Sequence, residues 1–162
     1  VDSAAAVFRV VPSPIGELLL ARASDGLRGL WVGGEREPDP AWPRDDAAFD
    51  DVVRELDAYF AGTLERFTIP LAPVGTPFQR AVWAALVAIP YGAVTTYAAL
   101  AASIGRPTAI RAVGAANGAN PLSVIVPCHR VVGSDGSLTG YGGGLPAKRW
   151  LLDHEARPAA RP

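Results

Sequence analysis

Three short runs rich in apolar residues, separated by polar turn residues, open the chain. Residues 8–11, 17–22 and 27–32 read as strands, because each is a short apolar-rich run bounded by turn residues. Pro12-Ser13-Pro14-Ile15-Gly16 and Ser24-Asp25-Gly26 are turn chemistry between them, so the runs predict a small antiparallel meander. The pattern is lost over residues 33–45, where Pro, Gly and charge crowd together and a surface loop is expected. It returns with a new period. Phe49, Val52, Val53, Leu56, Tyr59 and Phe60 recur at helical spacing, which predicts an amphipathic helix ending near Gly62. Residues 67–71 read as one further strand, and Ala72-Pro73-Val74-Gly75 as a linker.

Helical periods dominate beyond the linker. Thr76-Pro77 is an N-cap with proline at the first helical position, and that helix runs to about Ala88, stopped by Pro90-Tyr91-Gly92. A second, alanine-rich helix is expected over residues 96–103, a tight turn at Ile104-Gly105-Arg106, and a third helix over residues 107–119. Residues 123–130 read as extended, 133–136 as a turn, 139–144 as a loop and 146–156 as a final helix. The expected fold class is α/β in the α+β sense. A small antiparallel sheet plus helix fills residues 1–74, and a mostly helical domain with a helix-turn-helix fills residues 75–162.

Composition supports a folded chain, with 49% hydrophobic and 19% charged residues in 162. No apolar run reaches membrane-spanning length and no signal-peptide pattern opens the chain, so a cytoplasmic protein without a membrane partner is expected. The lone cysteine, Cys128, cannot form an internal disulfide, in keeping with a reducing compartment. The net charge of −1 argues against a polyanionic partner until its distribution is read. Residues 1–74 carry seven arginines against thirteen carboxylates, whereas residues 75–150 carry six basic side chains against Asp135 alone. A polyanion would meet the second half.

Two elements of that half carry chemistry. Helices joined by a three-residue turn containing glycine fit a helix-turn-helix, a weak signal by itself. The run Ala112-Val113-Gly114-Ala115-Ala116-Asn117-Gly118-Ala119-Asn120 has almost no long polar side chains to read a major groove. Small residues let the helix backbone press close, which suits a minor groove and little sequence preference; tight core packing is the competing reading. The second element is Val126-Pro127-Cys128-His129-Arg130-Val131. A thiol must lose its proton to attack, and a nearby imidazole can take it. In extended backbone Cys128 and His129 point to opposite faces, so a bridging water is expected to link them, with Glu155 of the last helix holding the imidazole. Cys128, His129 and His154 are too few and badly spaced for structural zinc, so no metal is expected. A cysteine-protease reading lacks a separate His and Asn pattern.

Taken together, these motifs resemble the O6-alkylguanine-DNA alkyltransferase (methylated-DNA–protein-cysteine methyltransferase) family. The resemblance rests on Ile125-Val126-Pro127-Cys128-His129-Arg130-Val131, Arg111-Ala112-Val113-Gly114, residues 117–121, Gly140-Tyr141-Gly142-Gly143-Gly144-Leu145 and residues 151–155, in order. It is strong over residues 76–155 and looser before them, through Ser13-Pro14-Ile15-Gly16.

The resemblance implies direct-reversal DNA repair: irreversible, single-turnover transfer of an alkyl group from O6-alkylguanine in duplex DNA to Cys128 after base flipping. O4-alkylthymine is a further candidate substrate. It implies His129 and Glu155 as the groups that generate the thiolate, and Asn120 as a brace. Tyr97 is implied as a phosphate contact and proton donor to the leaving guanine. Arg111 would fill the gap in the base stack, and Ala112, Ala115, Ala116, Asn117, Gly118 and Ser134 would meet DNA through the minor groove. Val131, Tyr141, Gly142 and Gly143 would line the base pocket. No cofactor, no metal and a monomer in solution are expected. A lesion-binding protein without transfer is disfavoured by the presence of Cys128, and a redox-sensing transcription regulator by the bare recognition helix.

Overall fold

The computed structural model describes residues 6–157. Three antiparallel strands come first, β1 (Val7–Val11), β2 (Leu18–Ala23) and β3 (Gly26–Val32), in the order β1-β2-β3. Val11 pairs with Leu18, and Leu18 with Val32. The central strand opens Leu18-Leu19-Leu20 because both faces of the sheet are covered. Leu18 and Leu20 join Leu27, Leu30 and Val32 in the main core, while Leu19 and Ala21 pack with Trp42 on the other face. A short 3-10 turn (Asp46–Phe49) leads into α1 (Asp50–Phe60), whose Val52, Leu56 and Tyr59 are buried in the main core. A bidentate pair from Arg22 to Asp51, at 2.7 and 2.9 Å, ties β2 to that helix.

The free edge of β3 is what positions the later site. Its backbone bonds alternate between two segments: Leu27 N–H donates to Pro70 and Leu30 N–H to Pro121, while Leu30 carbonyl accepts from Ser123. The strand expected over residues 67–71 is therefore corrected to a single bridge, Leu27 to Leu71. Pro70 supplies only a carbonyl, so no ladder can run through it. The second bridge, Leu30 to Leu122, clamps the chain six residues before Cys128.

Beyond the linker, α2 (Pro77–Val87) starts on a reciprocal capping box between Thr76 and Gln79. α3 (Tyr97–Ser103) and α4 (Ile110–Gly118) form the helix pair, turned at Gly105 with φ of +74°. The third helix begins at Ile110 instead of residue 107, because residues 106–109 close a separate turn in which Ala109 N–H reaches Arg106 carbonyl. A two-residue parallel pair, β4 (Thr95–Thr96) with β5 (Val131–Val132), had no periodic signal, being too short to show one. The chain closes with α5 (Leu145–Ala156). One continuous apolar core runs from Leu18 of the sheet to Leu151 of α5. No helix among the described residues is long and apolar enough to cross a membrane.

Candidate active site

The segment expected to be extended is instead folded tightly, a correction with consequences for the thiol. Val126 N–H donates to Leu122 and Ile125 N–H to Ser123, and Cys128–Arg130 form one 3-10 turn. Between them Val124 stands at φ of +73°. A β-branched side chain in that region costs on the order of 1–3 kcal/mol and persists only where its surroundings dictate it. Asn120 supplies much of that constraint. Its Nδ2 donates to Val126 carbonyl at 2.8 Å and its Oδ1 accepts from Leu122 N–H at 2.9 Å, so one buried amide ties the end of α4 to the turn carrying the thiol.

Cys128 is 6% exposed. Burial pushes its thiol up to about 11, against the opposing pull of Asn120 and the Lys148 ammonium. The resting sulfur is therefore protonated at neutral pH. His129 is fully buried beside it, with Nε2 2.7 Å from Glu155 Oε2. Burial also pushes the imidazole below its ordinary range, even though Glu155 favours its charge.

Glu155 is the hub of the site. Arg130 Nε donates to Oε1 at 2.7 Å and Nη2 to Oε2 at 3.0 Å, while Tyr59 hydroxyl donates to Oε2 at 2.5 Å. Burial alone would raise this carboxyl, but the hydrogen bonds from His129 and Arg130 outweigh it and hold the group at about 2. An ionised carboxylate only accepts, so the shared proton sits on His129 Nε2 and Nδ1 is left as a basic lone pair. Nδ1 has no protein partner among the described residues, and neither have Asn117 Oδ1 and Tyr141 hydroxyl. Buried polar groups are ordinarily satisfied, so three orphans on residues around one thiol mark a place built for something else.

The other expected residues divide into those the fold brings to this point and those it does not. Tyr141 and Gly142 line a small cavity with Cys128, Asn120 and Asn117. Gly143 presses on Val32 instead, and Val131 is fully buried with its carbonyl held by Lys148 Nζ at 2.7 Å. Tyr97 hydroxyl lies 2.5 Å from Thr139 Oγ1, which ties α3 to the loop after β5. Arg111, Ala112, Ala115 and Gly118 are exposed along one face of α4, and Ser134 is exposed after β5. Ala116 and Asn117 are corrected: they are 3% and 5% exposed and turn inward. Ala116 carbonyl accepts from Trp83 Nε1 at 2.8 Å, so that side of the helix is committed to packing on α2.

Four residues of the site were not anticipated: Tyr59, Arg130, Lys148 and Glu35. Lys148 carried a signal, as the one lysine in a chain that otherwise uses arginine, and it is fully buried. Glu35 lies in a surface loop and carried none. Size does not mark the site either. A cleft of about 530 Å³ between residues 71–75 and α2 has neither a thiol nor an imidazole in its wall.

Residues 77–157 match the family model described as 6-O-methylguanine DNA methyltransferase, DNA binding domain, and residues 6–73 the one described as 6-O-methylguanine DNA methyltransferase, ribonuclease-like domain. The methylated-DNA–protein-cysteine methyltransferase of Methanosarcina barkeri is 50% identical over 151 residues, covering 91% of this chain and 96% of that protein. The crystal structure of Mycobacterium tuberculosis O6-methylguanine methyltransferase is 47% identical, covers 96% of each chain and superposes with a TM-score of 0.88. The Mycobacterium tuberculosis OGT in complex with DNA is 48% identical over 92% of each chain, also at 0.88. With both halves matched, and the buried thiol followed in the chain by a histidine that is bonded to Glu155, the chain belongs to the methylated-DNA–protein-cysteine methyltransferase family.

Proposed function

We propose that this chain repairs duplex DNA by moving the alkyl carbon of O6-alkylguanine onto Cys128 Sγ, once per molecule. The observation that carries the reading is a buried thiol next to an imidazole whose proton is committed to an ionised carboxylate, leaving Nδ1 free to accept. The base inside a duplex is out of reach of a buried sulfur. It is therefore extruded, at a cost of roughly a few kcal/mol. Cys128 passes its proton through water to His129 Nδ1 as sulfur attacks the alkyl carbon. Glu155 stabilises the imidazolium, and Arg130 keeps Glu155 charged. The carbon–O6 bond breaks in line, and Tyr97, exchanging Thr139 for the lesion, protonates the leaving guanine. Asn120 holds the thiol turn against α4. Tyr141 and Gly142, with backbone near Val131 and Gly143, receive the base.

DNA is the partner, met on the minor-groove side through the small-residue face of α4, with Arg111 filling the vacated stack. Arg111 sits in the first turn of α4, exposed and without a partner among the described salt bridges. Ser134 adds a contact to the backbone. The protein acts as a monomer in the cytoplasm, with O4-alkylthymine as a secondary substrate. Residues 1–74 and 75–162 serve as support and catalytic unit respectively.

The product is a thioether, which water does not cleave, so transfer is stoichiometric. Methyl lost from O6-methylguanine DNA, counted against methylated protein by intact mass, reaches one equivalent and stops. Continued turnover would rule out the mechanism. Arg111→Ala is expected to slow reaction with a duplex lesion by about tenfold or more, the scale of one lost stacking contact. Reaction with free O6-benzylguanine should change far less. Equal losses on both substrates would contradict a stack-filling role.

A further inference from the structure

Glu35 lies where the base pocket should open. A Cβ placed on Gly142 would stand 2.0 Å from Glu35 Oε2 and 2.7 Å from its Cδ, so this carboxylate occupies the space a side chain at position 142 would take. The cavity it shares with Cys128, Asn117 and Tyr141 measures about 10 Å³. That is room for about one water and none for a purine. Some wall must move before a base arrives. Asn117 and Asn120 are buried at the end of α4, and Tyr141 packs against the main core. Glu35 is exposed, and its carboxylate is held by one long bond, from Val32 N–H to Oε1 at 3.3 Å.

The loop around it keeps this side chain at the surface. Gly33 and Gly34 precede it at φ of +61° and +79°, and a Cβ on either would meet nothing within 4 Å. Only glycine holds such angles cheaply, and the turn is closed by Gly33 N–H to Glu17 carbonyl at 2.8 Å and Glu35 N–H to Val32 carbonyl at 3.1 Å. Arg36 follows, with its guanidinium 4.5 Å from the Trp31 ring centroid and 4.9 Å from that of Trp42. The two indoles stack 6.2 Å apart against the sheet. A bonded glycine turn on one side and an aromatic anchor on the other hold the loop backbone, so the weakly held Glu35 side chain is the part that swings, by rotation about its own bonds. Gly118, exposed on the face of α4 proposed to meet DNA, borders the same cavity. A docking duplex therefore brings phosphate charge toward this carboxylate and repels it, driving it aside from the mouth of the cavity.

We propose that Glu35 is a specificity-determining gate of the acceptor pocket, closed over the thiol until DNA displaces it. The proposal rests on reading Cys128 as the alkyl acceptor. Closure shields a sulfur that can be used only once from small electrophiles, and favours a base delivered by a duplex over a free one.

The test is carried out without DNA, on the full chain, with two reagents that alkylate Cys128. Iodoacetamide loses iodide as sulfur bonds to its methylene carbon. O6-benzylguanine loses guanine, which takes the proton, as its benzylic carbon–O6 bond breaks. Intact mass follows both. Glu35→Ala is expected to speed both reactions roughly two- to tenfold, the range one weak hydrogen bond spans. Glu35→Gln, which keeps the length, falls between the wild type and Glu35→Ala. Glu35→Ala reacting at the wild-type rate or slower with both reagents overturns the gate, as does Glu35→Gln outpacing Glu35→Ala. Wild-type transfer from O6-methylguanine duplex is measured in parallel. Its failure would sink the acceptor reading, whereas its success beside an unchanged Glu35→Ala sinks the gate alone.

Discussion

Cys128→Ser is expected to bind O6-methylguanine duplex as the wild type does and to gain no methyl group. The thiol is already protonated at rest, held at about 11, so the reaction depends on handing that proton to His129 as attack begins. A serine hydroxyl holds its proton far more tightly, and no imidazole pushed below its ordinary range will take it. Binding survives because Arg111, Ala112, Ala115 and Gly118 are exposed on α4, outside the thiol turn. The swap nearly conserves volume, and a hydroxyl buried there costs about 1–3 kcal/mol, which leaves the fold intact. Intact mass after incubation and fluorescence anisotropy with labelled duplex are the two readouts. A methylated serine variant would remove Cys128 from the mechanism, and joint loss of folding and binding would make the residue structural.

Glu155→Gln is expected to damage both stability and transfer. The amide leaves the Arg130 guanidinium buried without a countercharge, although Tyr59 retains an oxygen to donate to. Removing one partner of a buried pair costs about 3–5 kcal/mol. For a chain of this size that lowers the thermal midpoint by roughly 6–20 °C. Transfer falls as well, by roughly 10²–10⁴-fold, because the imidazolium loses the charge that stabilises it. A pH series separates this from general loosening. The folded carboxyl sits at about 2 against an ordinary 4.5, so the unfolded chain takes the proton first. Its contribution is complete above pH 4.5 and is lost as the pH falls toward 2. His129 acts in the same direction and earlier. Burial keeps it neutral when folded, so stability begins to decline below the ordinary imidazole value of 6.5. The wild type should weaken in these two stages on acidification, and Glu155→Gln should lack the second. A variant that keeps the stage between pH 4.5 and 2 would show that another carboxylate governs it.

Much of this protein was legible from local pattern. The short apolar runs between turn residues over 7–32 and the helical spacing of residues 49–60 set the sheet and α1 to within a residue or two, because turn chemistry and side-chain period follow directly from backbone geometry. Thr76, Pro77 and Gly105 marked helix ends through capping and positive φ, which are also local. The helix pair and the Pro127-Cys128-His129-Arg130 run could be read as a docking element beside a nucleophile for the same reason. Local pattern failed at residues 123–130, where a run of apolar residues looks like a strand. That segment has no ladder to join. It turns because Asn120 and the β3 edge satisfy its backbone instead.

The sequence by itself determined which chemistry the chain carries: the thiol, the adjacent imidazole, a carboxylate on the last helix, and a helix bare enough to lie against DNA. Only the tertiary structure decided what surrounds them. Tyr59 meets Glu155 across 96 positions, Arg130 turns back onto the same carboxylate, and Glu35 crosses from the N-terminal sheet to cover Gly142. It also decided that Ala116 and Asn117 face inward while Ala115 and Gly118 face out. The physical reason is range. Periodicity and capping act over about one helical turn, whereas buried charge and pocket closure depend on which distant elements pack together, and no local pattern encodes that pairing.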